Sequence, residues 1–153
     1  MGDNSEMERE DYVLRMIAQT ARVLAHVRRL LLQGRHGEAG AQLEQVSTKG
    51  GLDLQFVIAL DETSLRPLLL TGGEMDRPKC AFFAEVVYLE WKRQLSMGRL
   101  DQATRCANRA LFLYAYAYEG IVVEPETRDR IGELAHYFDP TPSISPSQPR
   151  SGA

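Results

Sequence analysis

The sequence predicts an all-α fold, a bundle of antiparallel helical hairpins, and three observations carry that prediction. Apolar residues recur at spacings of three and four through several long runs, the pattern of a helix with one face on a core. Short joints containing glycine separate these runs, and a joint of two or three residues forces neighbouring helices antiparallel. Acids gather where runs begin and arginines where the first one ends, as the helix dipole favours.

The first run places Val13, Ile17, Ala21, Leu24, Val27 and Leu31 on one stripe and predicts a helix to about Gln33. Ser5 and Glu8 read as a capping box at its start. Glu6, Glu8, Glu10 and Asp11 crowd the beginning, and Arg28, Arg29 and Arg35 the end. After a break at Gly34-Arg-His-Gly37, a shorter helix carries Ala39, Leu43 and Val46 and closes at Gly50-Gly51. An insertion from Leu52 to Glu74 follows. In it Leu52, Phe56, Val57 and Leu60 fit a short helix. Ser64 is placed to cap a second, Leu65 to Leu70, with Pro67 tolerated in its first turn and Gly72-Gly73 ending it.

The clearest hairpin comes next. Asp76 caps its first arm, with Pro78 in the first turn. Phe82 and Val86, then Phe83, Val87, Trp91 and Leu95, give that arm a wide apolar stripe. Gly98 stops it and the chain restarts at Leu100 and Asp101. In the second arm Ala103, Ala107, Ala110 and Ala117 supply small contacts that let two helix backbones approach. Leu111 to Tyr118 also alternates as a strand would; helix is the expectation, because Leu111, Tyr114, Ala115 and Tyr118 satisfy helical spacing and no partner strand is evident. Gly120 and Ile121-Val-Val123 connect to a last helix that starts at Glu124-Pro125-Glu126 and runs through Ile131, Leu134 and Tyr137. The expected division is one helical domain, 1–138, and a disordered Pro/Ser-rich tail, 139–153, too poor in apolar residues to fold.

Two joints share residue types at equal offsets: Gly34-Arg-His-Gly-Glu-Ala39 and Gly98-Arg-Leu-Asp-Gln-Ala103. Either two related hairpins flank an insertion, or each joint independently meets the needs of a tight turn. The Gly98–Ala103 joint with Ala110 resembles the turn and second helix of a tetratricopeptide-type repeat, although Val87 and Trp91 stand where that family has its large aromatic and glycine. Over residues 11–119 the chain resembles a bacterial family of uncharacterised helical proteins. The likeness is carried by Asp11-Tyr-Val-Leu-Arg-Met-Ile17, the Gly34–Ala39 joint, Gly51-Leu-Asp-Leu54, Asp61-Glu-Thr-Ser-Leu65 and Lys79-Cys80. That resemblance implies a tetratricopeptide-like helical domain and brings no known activity with it.

Composition narrows the function classes. With 44% hydrophobic and 25% charged residues, 153 residues suit one globular domain with a real core. A formal net charge of −3 speaks against nucleic acid as a partner. Basic residues are mostly arginine, with Lys49, Lys79 and Lys92 the lysines, which reads as genome composition before function. Cys80 and Cys106 make no disulfide framework and fit a reducing interior. No apolar run approaches the ~20 residues that cross a bilayer, and the acidic start is unlike a signal peptide. The expected setting is cytoplasmic, with no membrane.

Dedicated chemistry is hard to find. His26, His36 and His136 are far apart and form no HxxxH or HExxH spacing, so neither metal nor cofactor is expected. Cys80 sits in the first turn of a helix, where a thiol can be activated, but a cysteine on an apolar helix is far more often a core residue. Candidate partner-binding residues are of two kinds. Arg15, Arg22 and Arg29, seven residues apart, line one face of the first helix and suit an acidic peptide or a phosphate; the duller reading pairs them with Glu38 and Glu44. Phe112, Tyr114, Tyr116 and Tyr118 make one helix apolar almost all round, so that a second copy of the chain, a partner peptide or the folded-back last helix must cover it. The expectation is a non-enzymatic protein–protein interaction or scaffold module, specifically a homodimer through the 101–119 helix. The alternative is a small enzyme or ligand-binding bundle with a pocket lined by Arg15, Arg22, Trp91 and a carboxylate such as Glu85.

Overall fold

The chain is all-α apart from one minimal hairpin. A computed structural model describes residues 2–140 of the protein, with the side chains of Arg15 and of residues 18–140. Its helices are α1 (Gly2–Leu32), α2 (His36–Lys49), α3 (Leu54–Ala59), α4 (Glu62–Leu65), α5 (Arg77–Ser96), α6 (Leu100–Tyr118) and α7 (Pro125–Phe138). The tail from residue 141 onward lies outside the described residues.

Helix α1 starts before Ser5, so the expected capping box falls inside the helix rather than at its end. A serine caps only from outside the first turn. Likewise α4 begins at Glu62 with Asp61 at its N-cap position, which leaves Ser64 internal, and the chain passes directly into a 3-10 turn, Arg66–Leu69, that holds Pro67. Gly72 and Gly73 do more than end that piece. Their φ values of 63° and 84° allow the two-residue turn of an antiparallel hairpin, β1 (Leu70–Thr71) with β2 (Glu74–Met75). Asp76 caps α5 as expected, accepting from the Lys79 amide at 3.1 Å.

The two glycine joints close identically. Gly34 and Gly98 both have φ of 73°. Arg35 N–H donates to the Leu30 carbonyl and Arg99 N–H to the Gln94 carbonyl, each at 2.9 Å, which satisfies a carbonyl the preceding helix leaves open. Ala39 and Ala103 then bury completely where the next helix meets its neighbour. The hairpins α1–α2 and α5–α6 are thus built on one local plan, separated by the α3 to β2 insertion.

Helix α5 is the hub. Phe83, Ala84, Val86, Val87, Leu89 and Trp91 are buried around most of its circumference. Helices α1, α2, α3 and α6 touch it directly, with α6 the most intimate neighbour because Ala103, Ala107, Ala110 and Ala117 let the backbones close up. Arg93 near the end of α5 reaches the His36 carbonyl at the start of α2 at 3.4 Å, so α5 runs antiparallel to α2 and parallel to α1. Helix α7 folds back over the α5–α6 pair: the Tyr137 ring sits edge-on to Trp91 with centroids 5.5 Å apart, and its hydroxyl meets Thr104 Oγ1 at 2.9 Å. Tyr88 and Lys92 of α5 both donate to the carboxylate of Glu133 on α7. Among the described residues no helix is long and apolar enough to cross a membrane.

Candidate functional site

An open groove of about 490 Å³ runs between α1, α5 and α7. Helix α1 supplies Thr20, Ala21, Leu24 and Arg28, one helical stripe; α5 supplies Pro78, Ala81, Phe82 and Glu85. Tyr118 closes one side, and Glu124, Glu126, Thr127 and Arg130 form the α7 wall. Its floor is apolar, and its two arginines converge on Glu85. Arg130 Nη1 holds Glu85 Oε1 at 2.9 Å, Arg28 Nη2 approaches the same oxygen at 3.8 Å, and the Tyr114 hydroxyl donates to Oε2. Burial first, and the Glu85 carboxylate second, push the Tyr114 phenol above its ordinary range. The Glu85 carboxylate is therefore committed to two guanidiniums and a phenol, an arrangement that joins four helices, α1, α5, α6 and α7.

A second recess, of about 360 Å³, lies between α3, the start of α4 and α6. Arg109 forms part of its wall while only 9% exposed; it donates through Nη2 to the Leu60 carbonyl and stacks over Phe112 at 5.0 Å. Its Nε and Nη1 are buried without hydrogen-bond partners among the described residues, and burial lowers its pKa, opposed by Glu62 and Asp61. Arg109 thus works as a strut from α6 to the end of α3.

Both thiols lie in the core. Burial pushes Cys80 up to about 11 and Cys106 up to about 12, far from the thiolate a nucleophile needs. Among the described residues no three His, Cys, Asp or Glu side chains gather as a metal site.

The sequence-predicted residues separate in space. Arg15, Arg22 and Arg29 are exposed on α1, as a contact stripe requires. Their expected pairing with Glu38 does not form, because Glu38 takes Arg35 at 2.6 and 2.9 Å, a partner three residues away on the same turn. Tyr114 is a core residue, 1% exposed, so the contact surface foreseen for α6 reduces to Phe112 and Tyr118, both half-buried, with Tyr116 beside Phe112. Tyr118 reaches the groove. The alternative pocket of Arg15, Arg22, Trp91 and Glu85 is not assembled: only Glu85 lines the groove, and Trp91 is sealed against Tyr137. Arg28 and Arg130, which complete the groove, were missed. Arg28 had a signal, lying four residues after Leu24 and seven after Ala21; Arg130 had none, since nothing local shows where α7 docks.

Comparison of the chain with protein-family models, with curated proteins and with solved structures finds no match. The functional reading rests on the geometry.

Proposed function

We propose that the protein is a non-enzymatic interaction module, built on a tetratricopeptide-like pair of hairpins, that receives a helix of a protein partner in the groove between α1, α5 and α7. One observation carries this reading: the groove is open, with an apolar floor of Ala21, Leu24, Ala81 and Phe82, while Glu85 within it is ion-paired to Arg28 and Arg130, and Arg130 also to Glu126. An apolar trough with a charged rim suits the apolar face of an amphipathic helix. A catalytic pocket needs instead a base or nucleophile free to act. The exposed arginines Arg22 and Arg29 on the outer side of α1 offer a second, acidic-seeking surface. Two unpaired thiols suit a reducing, cytoplasmic setting.

A photo-cross-linking residue in place of Ala21, in the full chain in the cells that make it, tests the proposal. The expected result is a discrete protein adduct from position 21 and none from Gln45, an exposed residue of α2. A small molecule retained in the groove, with no protein adduct at position 21, would overturn the reading in favour of a ligand-binding bundle.

A further inference from the structure

We propose that the recess between α3, the start of α4 and α6 is a binding site for a free α-amino acid, with its carboxylate on Arg109 and Arg105 and its ammonium group on Asp61 and Glu62. The recess shares no lining residue with the groove between α1, α5 and α7, so this inference stands apart from the function read from that groove.

The cationic wall is written on one face of α6. Arg105, Asn108, Arg109 and Phe112 follow one another at spacings of three, four and seven, so they project to the same side. Arg109 is only 9% exposed, and its Nε and Nη1 have no hydrogen-bond partner among the described residues. The Leu60 carbonyl accepts from Nη2 and the Phe112 ring lies 5.0 Å from the guanidinium, which fixes the group without answering its other donors. A guanidinium withdrawn from water with donors unanswered is costly, and a carboxylate is the acceptor that fits its fork. Arg105 and Asn108 are exposed beside it, and neither side chain forms an ion pair or hydrogen bond among the described residues. Both can hold the same carboxylate.

The acids come from the opposite wall. Helix α3 gives way at Leu60 to extended backbone with ψ of 144°, and Asp61 continues it at 160°, which turns the chain so that Asp61 and Glu62 line the recess with Arg109. Both carboxylates act on Arg109 electrostatically, yet neither forms an ion pair with it. The recess therefore keeps two poles, and its two arginines and two acids leave the lining without net charge. A simple anion drawn to one wall is repelled by the other; a zwitterion is attracted by both. Ile58 and Phe112, both half-buried, offer apolar surface to the ligand's side chain. The volume of about 360 Å³ suits a single metabolite and not a partner helix. A ligand held between these walls ties the α3–α4 insertion to α6.

Isothermal titration calorimetry on the full chain, with leucine, methionine, phenylalanine, alanine, glutamate and lysine as probes, should find saturable binding of at least one of them at up to millimolar concentration. The N-acetyl derivative and the amide of that amino acid each lack one charge and should bind about tenfold more weakly. Arg109 is buried, so the variants are made at exposed positions. Glu62→Gln should weaken the amino acid about tenfold and leave its N-acetyl derivative unchanged, whereas Arg105→Ala should weaken both. Amide exchange over residues 54–65 should slow on binding. Absence of binding by every probe overturns the inference. Equal binding of the amino acid and its N-acetyl derivative overturns it in favour of a plain anion site. Slowed exchange confined to α1 and α7 overturns it by placing the ligand in the groove.

Discussion

Glu90→Ala should be among the most damaging single changes in this protein, although Glu90 is a charged residue in the middle of the hub helix. Glu90 is 1% exposed, and its carboxylate takes Arg93 Nε at 2.8 Å, Arg93 Nη2 at 2.9 Å and Gln94 Nε2 at 2.6 Å. Its hydrogen bond is the leading cause that holds the Arg93 pKa above the ordinary guanidinium value, against the desolvation that would lower it. Arg93 in turn supports the start of α2 through the His36 carbonyl and lies against Gly40. An exposed pair of this kind is worth about 0–1 kcal/mol. Removing one partner of a buried pair costs about 3–5 kcal/mol, because the remaining charge is stranded. The Arg93 side chain keeps 16% exposure, and Glu44 acts on it electrostatically, so the low end, about 3 kcal/mol, applies. With an unfolding entropy of about 2.1 cal/mol/K per residue, that is a fall in Tm of roughly 10 °C for this chain. Urea denaturation and thermal circular dichroism measure both quantities. Glu90→Leu with Arg93→Met leaves neither charge stranded and should recover most of the loss. A single variant within about 1 kcal/mol of the parent, or a double variant no better than the single, would refute the reasoning.

Other expectations follow from the same geometry. Neither cysteine should react with iodoacetamide at pH 8 in the folded protein, and both should react in denaturant. Since burial raises both folded pKa values, to about 11 and about 12, above an unfolded value of 9.0, the unfolded chain loses these protons first; their contribution to stability is complete below pH 9 and is lost as pH climbs through that window. Glu133→Ala removes the acceptor shared by Tyr88 and Lys92 and should loosen α7, seen as faster amide exchange over 125–138 and a red shift of Trp91 emission, with α1 and α2 unchanged. Gly34→Ala and Gly98→Ala should each cost about 1–2 kcal/mol in chemical denaturation, because both positions sit at φ of 73° with open space around a new Cβ, so the strain is purely that of the backbone. Unequal costs would count against the equivalence of the two joints.

Local rules were enough to read the hairpins. Periodicity located α1, α2, α5, α6 and α7, and Gly34 and Gly98 marked the joints because a left-handed residue is what closes a helix before a sharp return. The same rules misread Gly72-Gly73 as a stop, since a glycine pair ends a helix and turns a minimal hairpin equally well and the flanking Leu70-Thr71 and Glu74-Met75 are too short for alternation to register. They also failed at Tyr114. In a helix apolar on nearly every side, spacing says that the residue is covered but not by what, and the answer depends on Glu85, 29 residues away, standing opposite to accept its hydroxyl. Polar contacts between distant elements leave no trace in local pattern: Glu133 meets partners 41 and 45 residues earlier, and Arg130 completes the groove only because those contacts dock α7. The groove is accordingly half legible. Its α1 wall is one stripe, Ala21, Leu24 and Arg28, visible in the sequence as a continuation of Val13 and Ile17. The opposing wall exists only after folding, when α5 and α7 bring Phe82, Glu85 and Arg130 up to that stripe.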